Sequence, residues 1–312
     1  MSPIAATPYA ALPTTLLDEL RGAGLDPQAL HAMVAAALAE DLPGDPHPAE
    51  DVTTAATIPA GARGVADLAA RSAGVAAGLA VAELVFCYVL GDQVRVSGRV
   101  PDGAPVSAGD VVMTVAGPVR GLLTAERTAL NFASHLSGIA TATAAWVAAL
   151  EGTGARVLDT RKTLPGWRAL QKYAVRCGGG VNHRFSLVDM ALVKDNHVLA
   201  AGGVVPAYEA VRRRWPDLPV EVEVTGLDEL SQLLDAGCDR IMLDNMSDQQ
   251  MVEAVRLTAG RATLEASGGL TIDRAREVAA TGVDFISVGA LTHSVQVLDL
   301  GMDLRPDGGD DT

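Results

Sequence analysis

Lysine and cysteine are scarce in this sequence of 312 residues. The three cysteines, Cys87, Cys177 and Cys238, are far apart and odd in number, which excludes a disulfide scaffold or a four-cysteine zinc site. Free thiols suit a reducing compartment, and the cytoplasm is expected. Positive charge is also in short supply. With 24 basic against 38 acidic residues and a formal charge of −14, binding of nucleic acid through the general surface is excluded, so any anionic ligand needs a local basic site. Long apolar runs are missing too: Gly74 to Leu90 is interrupted by Glu83 and is short for a membrane span. Met1 to Leu20 lacks a basic segment followed by an apolar one, so neither a membrane nor an export signal is expected. What remains is a globular composition, 49% apolar and 20% charged, with a length that fits two domains.

Of the 24 basic residues only three are lysine, and Lys162, Lys172 and Lys194 fall within 33 residues of one another. A compact ammonium differs from a guanidinium in geometry and hydration, so this clustering marks a neighbourhood with special needs. Between Arg156 and Lys194 eight basic residues stand against two acidic ones, with His183 beside Arg184. A local net charge of +6 in an acidic chain suits a small, highly charged anion.

The hydrophobic pattern divides the chain. Asp26-Pro27 followed by Leu30, Val34 and Leu38 predicts a capped amphipathic helix ending near Leu42, and residues 45–50 read as loop. Short β-like runs at Val65 to Ala69, Val94 to Val100 and Val111 to Val115, with a helix over Leu79 to Leu90, describe a small α/β domain. The stretch Asp102 to Asp110 is similar to the hairpin of biotinyl and lipoyl carriers, but no lysine precedes Lys162, so a swinging-arm carrier is excluded. A long helix is predicted over Thr124 to Leu150, with Arg127, Asn131 and His135 on one face. Beyond residue 155, short apolar runs end at Asp159-Thr160-Arg161-Lys162, Lys194, Glu223, Asp244, Ser267 and Gly289. The last four markers are 21, 23 and 22 residues apart. That is the period of a βα unit, and about six such strands predict an incomplete α/β barrel with its site at the strand C-termini.

The strand-end rule brings Arg161, Lys162, Lys194, Glu223, Asp244, Ser267-Gly268-Gly269 and Gly289 to one mouth. Small residues at Ser267 to Gly269 and Ser287-Val288-Gly289-Ala290 read as a phosphate site. Glu223 and Asp244 are placed to accept from sugar hydroxyls or to help hold a hydrated Mg²⁺. Arg212-Arg213-Arg214, in the last turn of a helix, is assigned to solvent. His31 and His47 have no evident partner.

Several runs resemble quinolinate phosphoribosyltransferase. They are Glu126-Arg127-Thr128-Ala129-Leu130-Asn131, Leu136-Ser137-Gly138-Ile139-Ala140-Thr141, Asp159 to Thr163 with Pro165-Gly166, and Lys172 to Gly180 with Asn182-His183-Arg184. Lys194-Asp195-Asn196-His197, Leu243-Asp244-Asn245-Met246 and Ser267-Gly268-Gly269 complete the set, in family order from about residue 40 to 295. The resemblance implies a small N-terminal α/β sandwich domain plus an open (incomplete) α/β barrel of the type II phosphoribosyltransferase kind. Domains are expected over 1–130 and 131–290, with 291–312 packing back on the first and an acidic tail that is disordered. It implies transfer of phosphoribosyl from 5-phosphoribosyl-1-pyrophosphate to quinolinate with decarboxylation, and a need for Mg²⁺. By similarity Arg127, Arg161, Lys162, His183, Arg184 and Lys194 bind quinolinate. Thr160, Glu223, Asp244, Ser267, Gly268, Gly269, Val288, Gly289 and Ala290 hold the phosphoribosyl group. Lys162, Glu223 and Asp244 are the implied catalytic residues, the two carboxylates also reaching the metal directly or through substrate and water. A head-to-tail homodimer is implied, with Arg127 reaching the neighbouring site. The rival readings are a family sibling associated with molybdenum transport, a Schiff-base aldolase using Lys194, and a phosphosugar sensor.

Overall fold

The computed structural model of the chain describes residues 6–43 and 50–306. His47, most of the loop expected over 45–50 and the acidic tail expected to be disordered lie outside the described residues. The chain divides into two compact units, the first comprising residues through Thr141, Ala169–Gly178 and those from Val295 onward, the second Ala142–Arg168 and Gly179–Ser294.

The first unit opens with α1 (Thr14–Gly22), α2 (Pro27–Asp41) and α3 (Val52–Thr57). As the sequence predicts, Asp26 caps α2 by accepting from the Gln28 amide at 2.9 Å, and Leu30, Val34 and Leu38 are its buried stripe. His31 does have partners: Nε2 lies 2.9 Å from the Thr7 carbonyl, and the ring sits between those of Tyr9 and Tyr88. The chain continues through β1 (Arg63–Ala70), β2 (Gly74–Val75), α4 (Leu79–Leu90), β3 (Arg95–Ser97), β4 (Pro105–Val106), β5 (Val111–Pro118) and α5 (Val119–Ala149). Helix α5 begins five residues before the predicted Thr124, because Arg120 in its first turn anchors it by donating to the carbonyls of Ile58 and Ala55 at 2.8 and 2.9 Å. Conversely, β3 is shorter than the predicted Val94 to Val100 run: its ladder with β5 covers Arg95 to Ser97, and Val100 rejoins β5 through its amide alone, which donates to the Val112 carbonyl at 2.9 Å.

Helix α4 is apolar nearly all round and is buried accordingly. Its N-cap, Gly78, has φ +78° and no capping side chain of its own. The cap comes from Asp102, whose carboxylate accepts from the amides of Gly78 and Leu79 at 2.7 and 3.1 Å and from the Tyr173 hydroxyl at 2.7 Å. A Cβ on Gly78 would stand 2.4 Å from Leu136 Cδ1 in a left-handed conformation. Gly78→Ala is therefore expected to destabilise the chain by about 3 kcal/mol, to be measured as a lower urea midpoint at unchanged m-value.

After α5 come β6 (Arg156–Leu158), α6 (Arg168–Cys177), β7 (Ala191–Val193), α7 (Asp195–Ala201), α8 (Val204–Arg214), β8 (Val220–Val224) and α9 (Leu227–Asp235). They are followed by β9 (Arg240–Asp244), α10 (Asp248–Thr258), β10 (Thr263–Ser267), α11 (Ala275–Ala280), β11 (Phe285–Ser287), α12 (Ala290–His293) and β12 (Leu300–Pro306). Strand β12 returns to the first unit and pairs antiparallel with β1, from Gly64↔Pro306 to Ala70↔Leu300, in a sheet of order β12-β1-β5-β3.

The second unit is built on a six-stranded parallel sheet, β6-β11-β10-β9-β8-β7. Its edge strands β6 and β7 do not pair with each other, so the βα barrel is open. The outward residues Val222, Ile241, Leu243, Leu264, Ala266 and Ile286 are apolar and buried. Polar residues take the alternate, inward positions, including Glu221, Glu223, Asp244, Glu265 and Ser267. Ser247 and Gln250 form a capping box at the start of α10. Thr271 precedes a 3₁₀ turn over Ile272–Arg274 that leads directly into α11.

Candidate active site

A cavity of about 290 Å³ opens at the C-terminal ends of the parallel strands, lined by Thr160, Arg161, Lys162, His183, Arg184, Leu192, Lys194, Met242, Glu265, Ser267 and Ser287. Four cations therefore face one space. Of the eight basic residues counted between Arg156 and Lys194, the others lie elsewhere. Arg156 begins β6 at the opposite end of the sheet, and Arg168 donates to Thr163 Oγ1 and the Phe185 carbonyl. Lys172 and Arg176 belong to the first unit, where Lys172 is buried and Arg176 donates to the Ala23 carbonyl.

The cations are held in different ways. Arg184 Nη1 donates to the Met190 carbonyl at 3.1 Å, while the buried Nε of Arg161 has no hydrogen-bond partner. Burial first, and the Arg161 guanidinium second, push the Arg184 pKa below the ordinary arginine value. Positive charge in this cavity is thus in excess, and a bound anion is what would relieve it. The Lys194 ammonium is paired with the Glu223 carboxylate at the next strand end. Lys162 is fixed through its backbone: its carbonyl accepts from Thr292 Oγ1 at 2.7 Å and its amide donates to Thr160 Oγ1 at 3.0 Å.

His183 lines the cavity with both ring nitrogens engaged. Nδ1 accepts from the Arg184 amide at 2.7 Å, which puts the proton on Nε2, 2.7 Å from Glu221 Oε2. The fully buried Asp159 sets the backbone there, accepting from the His183 amide at 2.9 Å and from Asn182 Nδ2 at 2.6 Å.

At the neighbouring strand ends, Asp244 accepts from Asn245 Nδ2 at 2.7 Å, and the Asn245 amide donates to the Ser267 carbonyl at 2.9 Å. Gly268 has φ +103°, and a Cβ there would stand 2.3 Å from Asn245 Oδ1. Ser267 to Gly269 can make this bend only with glycine at 268. Gly289 lies against the Lys162 side chain, where a Cβ would be 3.0 Å from Cδ. Arg127, the remaining predicted cation, is exposed on α5 in the first unit. Arg212 to Arg214 close α8, and Arg214 stacks on Trp215 at 4.6 Å.

Two residues that sequence reasoning did not select stand out beside Asp159: Glu221 and Glu265, both essentially buried. Glu221 lies two residues before Glu223, and Glu265 two before Ser267, so strand periodicity puts each on the inward face of its neighbour. That alternation was the signal available for them.

Residues 51–137 match the family described as quinolinate phosphoribosyl transferase, N-terminal domain, and residues 139–303 match its C-terminal domain. This chain belongs to the quinolinate phosphoribosyltransferase family. It is 54% identical over 258 residues to the carboxylating nicotinate-nucleotide pyrophosphorylase of Mycobacterium leprae, covering 81% of this chain and 91% of that one. The chloroplastic counterpart from Oryza sativa subsp. japonica is 41% identical over 292 residues, 88% of this chain and 77% of the relative. Among solved structures, NadC from Streptococcus pyogenes superposes with a TM-score of 0.85 at 42% identity, covering 90% of this chain and 98% of its own. The phosphoribosyltransferase fold of these relatives is thus the fold of both units. Among the described residues no helix is long and apolar enough to cross a membrane.

Proposed function

We infer that the cavity of the second unit is where this phosphoribosyltransferase joins its substrates. The chain transfers phosphoribosyl from 5-phosphoribosyl-1-pyrophosphate to quinolinate with loss of CO₂, giving nicotinate mononucleotide and pyrophosphate in NAD biosynthesis. The observation that carries the residue assignment is the unbalanced set of Arg161, Lys162, Arg184 and Lys194 around one cavity, with the buried Arg161 Nε unpartnered. Quinolinate presents two adjacent carboxylates. Arginine forks and lysine point charges are what such a dianion requires. His183 borders the same space and orients Arg184 through the Arg184 amide.

The phosphoribosyl group is assigned to the strand ends beside the cations: Thr160, Glu223, Asp244, the bend Ser267-Gly268-Gly269, and Val288-Gly289-Ala290. Departure of pyrophosphate develops positive charge at ribose C1, and Glu223 and Asp244 hold the ribose hydroxyls while it does. Lys194, paired with Glu223, sits at the seam between the two substrates. Lys162, beside Gly289, is placed to meet the departing phosphate. The pyridine nitrogen then attacks in line, and the quaternary ring becomes the electron sink for the C2 carboxylate. Catalysis is chiefly positioning and electrostatics.

The donor set suits a magnesium ion. Glu223 and Asp244 offer hard oxygen ligands at neighbouring strand ends, and each is already engaged, by Lys194 and Asn245. Two such carboxylates make an incomplete shell, which fits an ion that completes it with water and substrate phosphates. When bound, Mg²⁺ supplies charge neutralisation to the leaving pyrophosphate.

A homodimer in which Arg127 completes the neighbouring cavity is the assembly implied by the family resemblance, and the exposure of Arg127 on α5 supports it. The three free cysteines support a cytoplasmic location. An aldolase reading is disfavoured because the Lys194 ammonium is ion-paired with Glu223, whereas a Schiff-base lysine must attack as the free amine.

The test is release of CO₂ from quinolinate in the presence of phosphoribosyl pyrophosphate and Mg²⁺; no release from purified wild type contradicts the reading. A shared site makes a further prediction. Arg127→Ala and Lys194→Ala are each expected to be inactive alone, yet an equal mixture after subunit exchange should regain about a quarter of wild-type activity, since half the dimers then carry one intact site. Exchange demonstrated by mass spectrometry without recovery would refute the shared site.

A further inference from the structure

Strand β6 is an edge of the open sheet and pairs on one side with β11. The backbone groups on its other side need partners, as on any strand edge. The chain returning after α6 supplies them over a short distance. The Val181 amide donates to the Val157 carbonyl at 2.9 Å, the Asp159 amide donates to the Val181 carbonyl at 3.2 Å, and Leu158 and Val181 form an isolated parallel bridge. Beyond that bridge the Asp159 side chain takes over. One carboxylate oxygen accepts from the His183 amide at 2.9 Å and the other from Asn182 Nδ2 at 2.6 Å, so a side chain continues what backbone carbonyls do within a sheet. Asp159 is fully buried, and water cannot replace these bonds.

The two segments joined in this way carry cations of the cavity. Arg161 and Lys162 follow Asp159 by two and three residues, and Arg184 follows His183 directly. After burial, repulsion from Arg161 is the main cause of the lowered Arg184 pKa. Two guanidiniums that repel each other tend to separate, and an edge held by one isolated bridge offers little resistance. The Asp159 clamp sits within two residues of each. On its far side Arg184 is tied by Nη1 to the Met190 carbonyl at 3.1 Å, so the segment is fixed at both ends of that residue. The spacing of the pair is therefore set before any ligand enters.

Such spacing matters most to a ligand with two adjacent carboxylates, because both must find their cations in one pose. A monocarboxylate needs only one. Resting on the reading of this cavity as the quinolinate site, we propose that Asp159 is a positioning residue that fixes the separation of Arg161 and Arg184 and so selects an adjacent dicarboxylate over a monocarboxylate. It acts through the backbones of the two segments, with Asn182 as its second anchor.

The experiment measures KM for quinolinate, KM for phosphoribosyl pyrophosphate and the ratio of kcat/KM for quinolinate over nicotinate. Asp159→Ala should raise KM for quinolinate and lower the ratio by about thirtyfold each, within the range expected for a displacement of about 1 Å. KM for phosphoribosyl pyrophosphate should change less than about threefold. Asparagine at 159 still offers an oxygen to the His183 amide, and its own amide can donate to Asn182 once that side chain turns over. Asp159→Asn is therefore expected to keep KM for quinolinate within about fivefold of wild type. Asn182→Ala loses one of the two bonds and should shift KM and the ratio in the same direction by about fivefold, which keeps the test open if Asp159→Ala does not fold. Gly78→Ala, in the first unit, is the control for lost stability and should leave both KM values and the ratio in place.

The proposal is overturned by Asp159→Ala with KM for quinolinate within about threefold of wild type, or by both KM values rising together. It is equally overturned if Asp159→Asn fails as badly as Asp159→Ala, or if Asp159→Ala does not fold and Asn182→Ala matches wild type. Wild type that releases no CO₂, or that uses both acids equally well, sinks the reading of the site instead.

Discussion

With nicotinate in place of quinolinate, kcat/KM for mononucleotide formation is expected to fall by about ten-thousandfold, the penalty typical of a site built to pair a group that the analogue lacks. Nicotinate keeps one carboxylate and the ring nitrogen but not the C2 carboxylate. Binding it would leave part of the set Arg161, Lys162, Arg184 and Lys194 desolvated and unpaired. The cost is high because these charges already oppose one another: burial and Arg161 depress the Arg184 pKa before any ligand enters. Lost pairing in such a cavity is not replaced by water. The measurement is the ratio of kcat/KM for the two acids at saturating phosphoribosyl pyrophosphate. A ratio near one would mean that the cavity does not read the second carboxylate.

Arg161→Ala is the second large expectation, a loss of about a thousandfold in kcat/KM, or about 4 kcal/mol. Most of it should appear in KM. Among the cavity cations Arg161 has a buried Nε without a protein partner, so its removal breaks no described hydrogen bond at that atom. It does remove repulsion from Arg184. The unliganded protein is therefore expected to keep its melting temperature or gain slightly, the opposite sign to the effect on activity. A paired structural arginine would behave otherwise, losing stability and activity together. Thermal unfolding without ligand, set beside kcat/KM, separates the two cases.

Much of this site was legible in the sequence because a parallel sheet imposes simple rules. Strand ends at Glu223, Asp244, Ser267 and Gly289 follow from a 21- to 23-residue repeat, the apolar runs before Lys162 and Lys194 add two more, and six parallel strands are what the structure contains. The capping box at Ser247 and the cap at Asp26 depend on neighbours within three residues, and both form. The failures share a cause. The sequence offers His31 no partner, but Thr7, Tyr9 and Tyr88 reach it from up to 57 residues away. The early start of α5 depends on carbonyls at 55 and 58, and the α4 cap on Asp102. Nothing local announces such partners.

From its order of residues alone, the chain declared a βα-repeat barrel, a cationic neighbourhood in an acidic protein, and the motifs of its family. Periodicity, charge and short-range capping are properties of neighbours along the chain, so they survive without coordinates. Three-dimensional packing decided which of the eight basic residues face the cavity, which cation is left unpaired, and that Glu221 and Glu265 share the barrel interior. Those outcomes turn on contacts between strands far apart in sequence, where a carboxylate's charge depends on what happens to be packed against it.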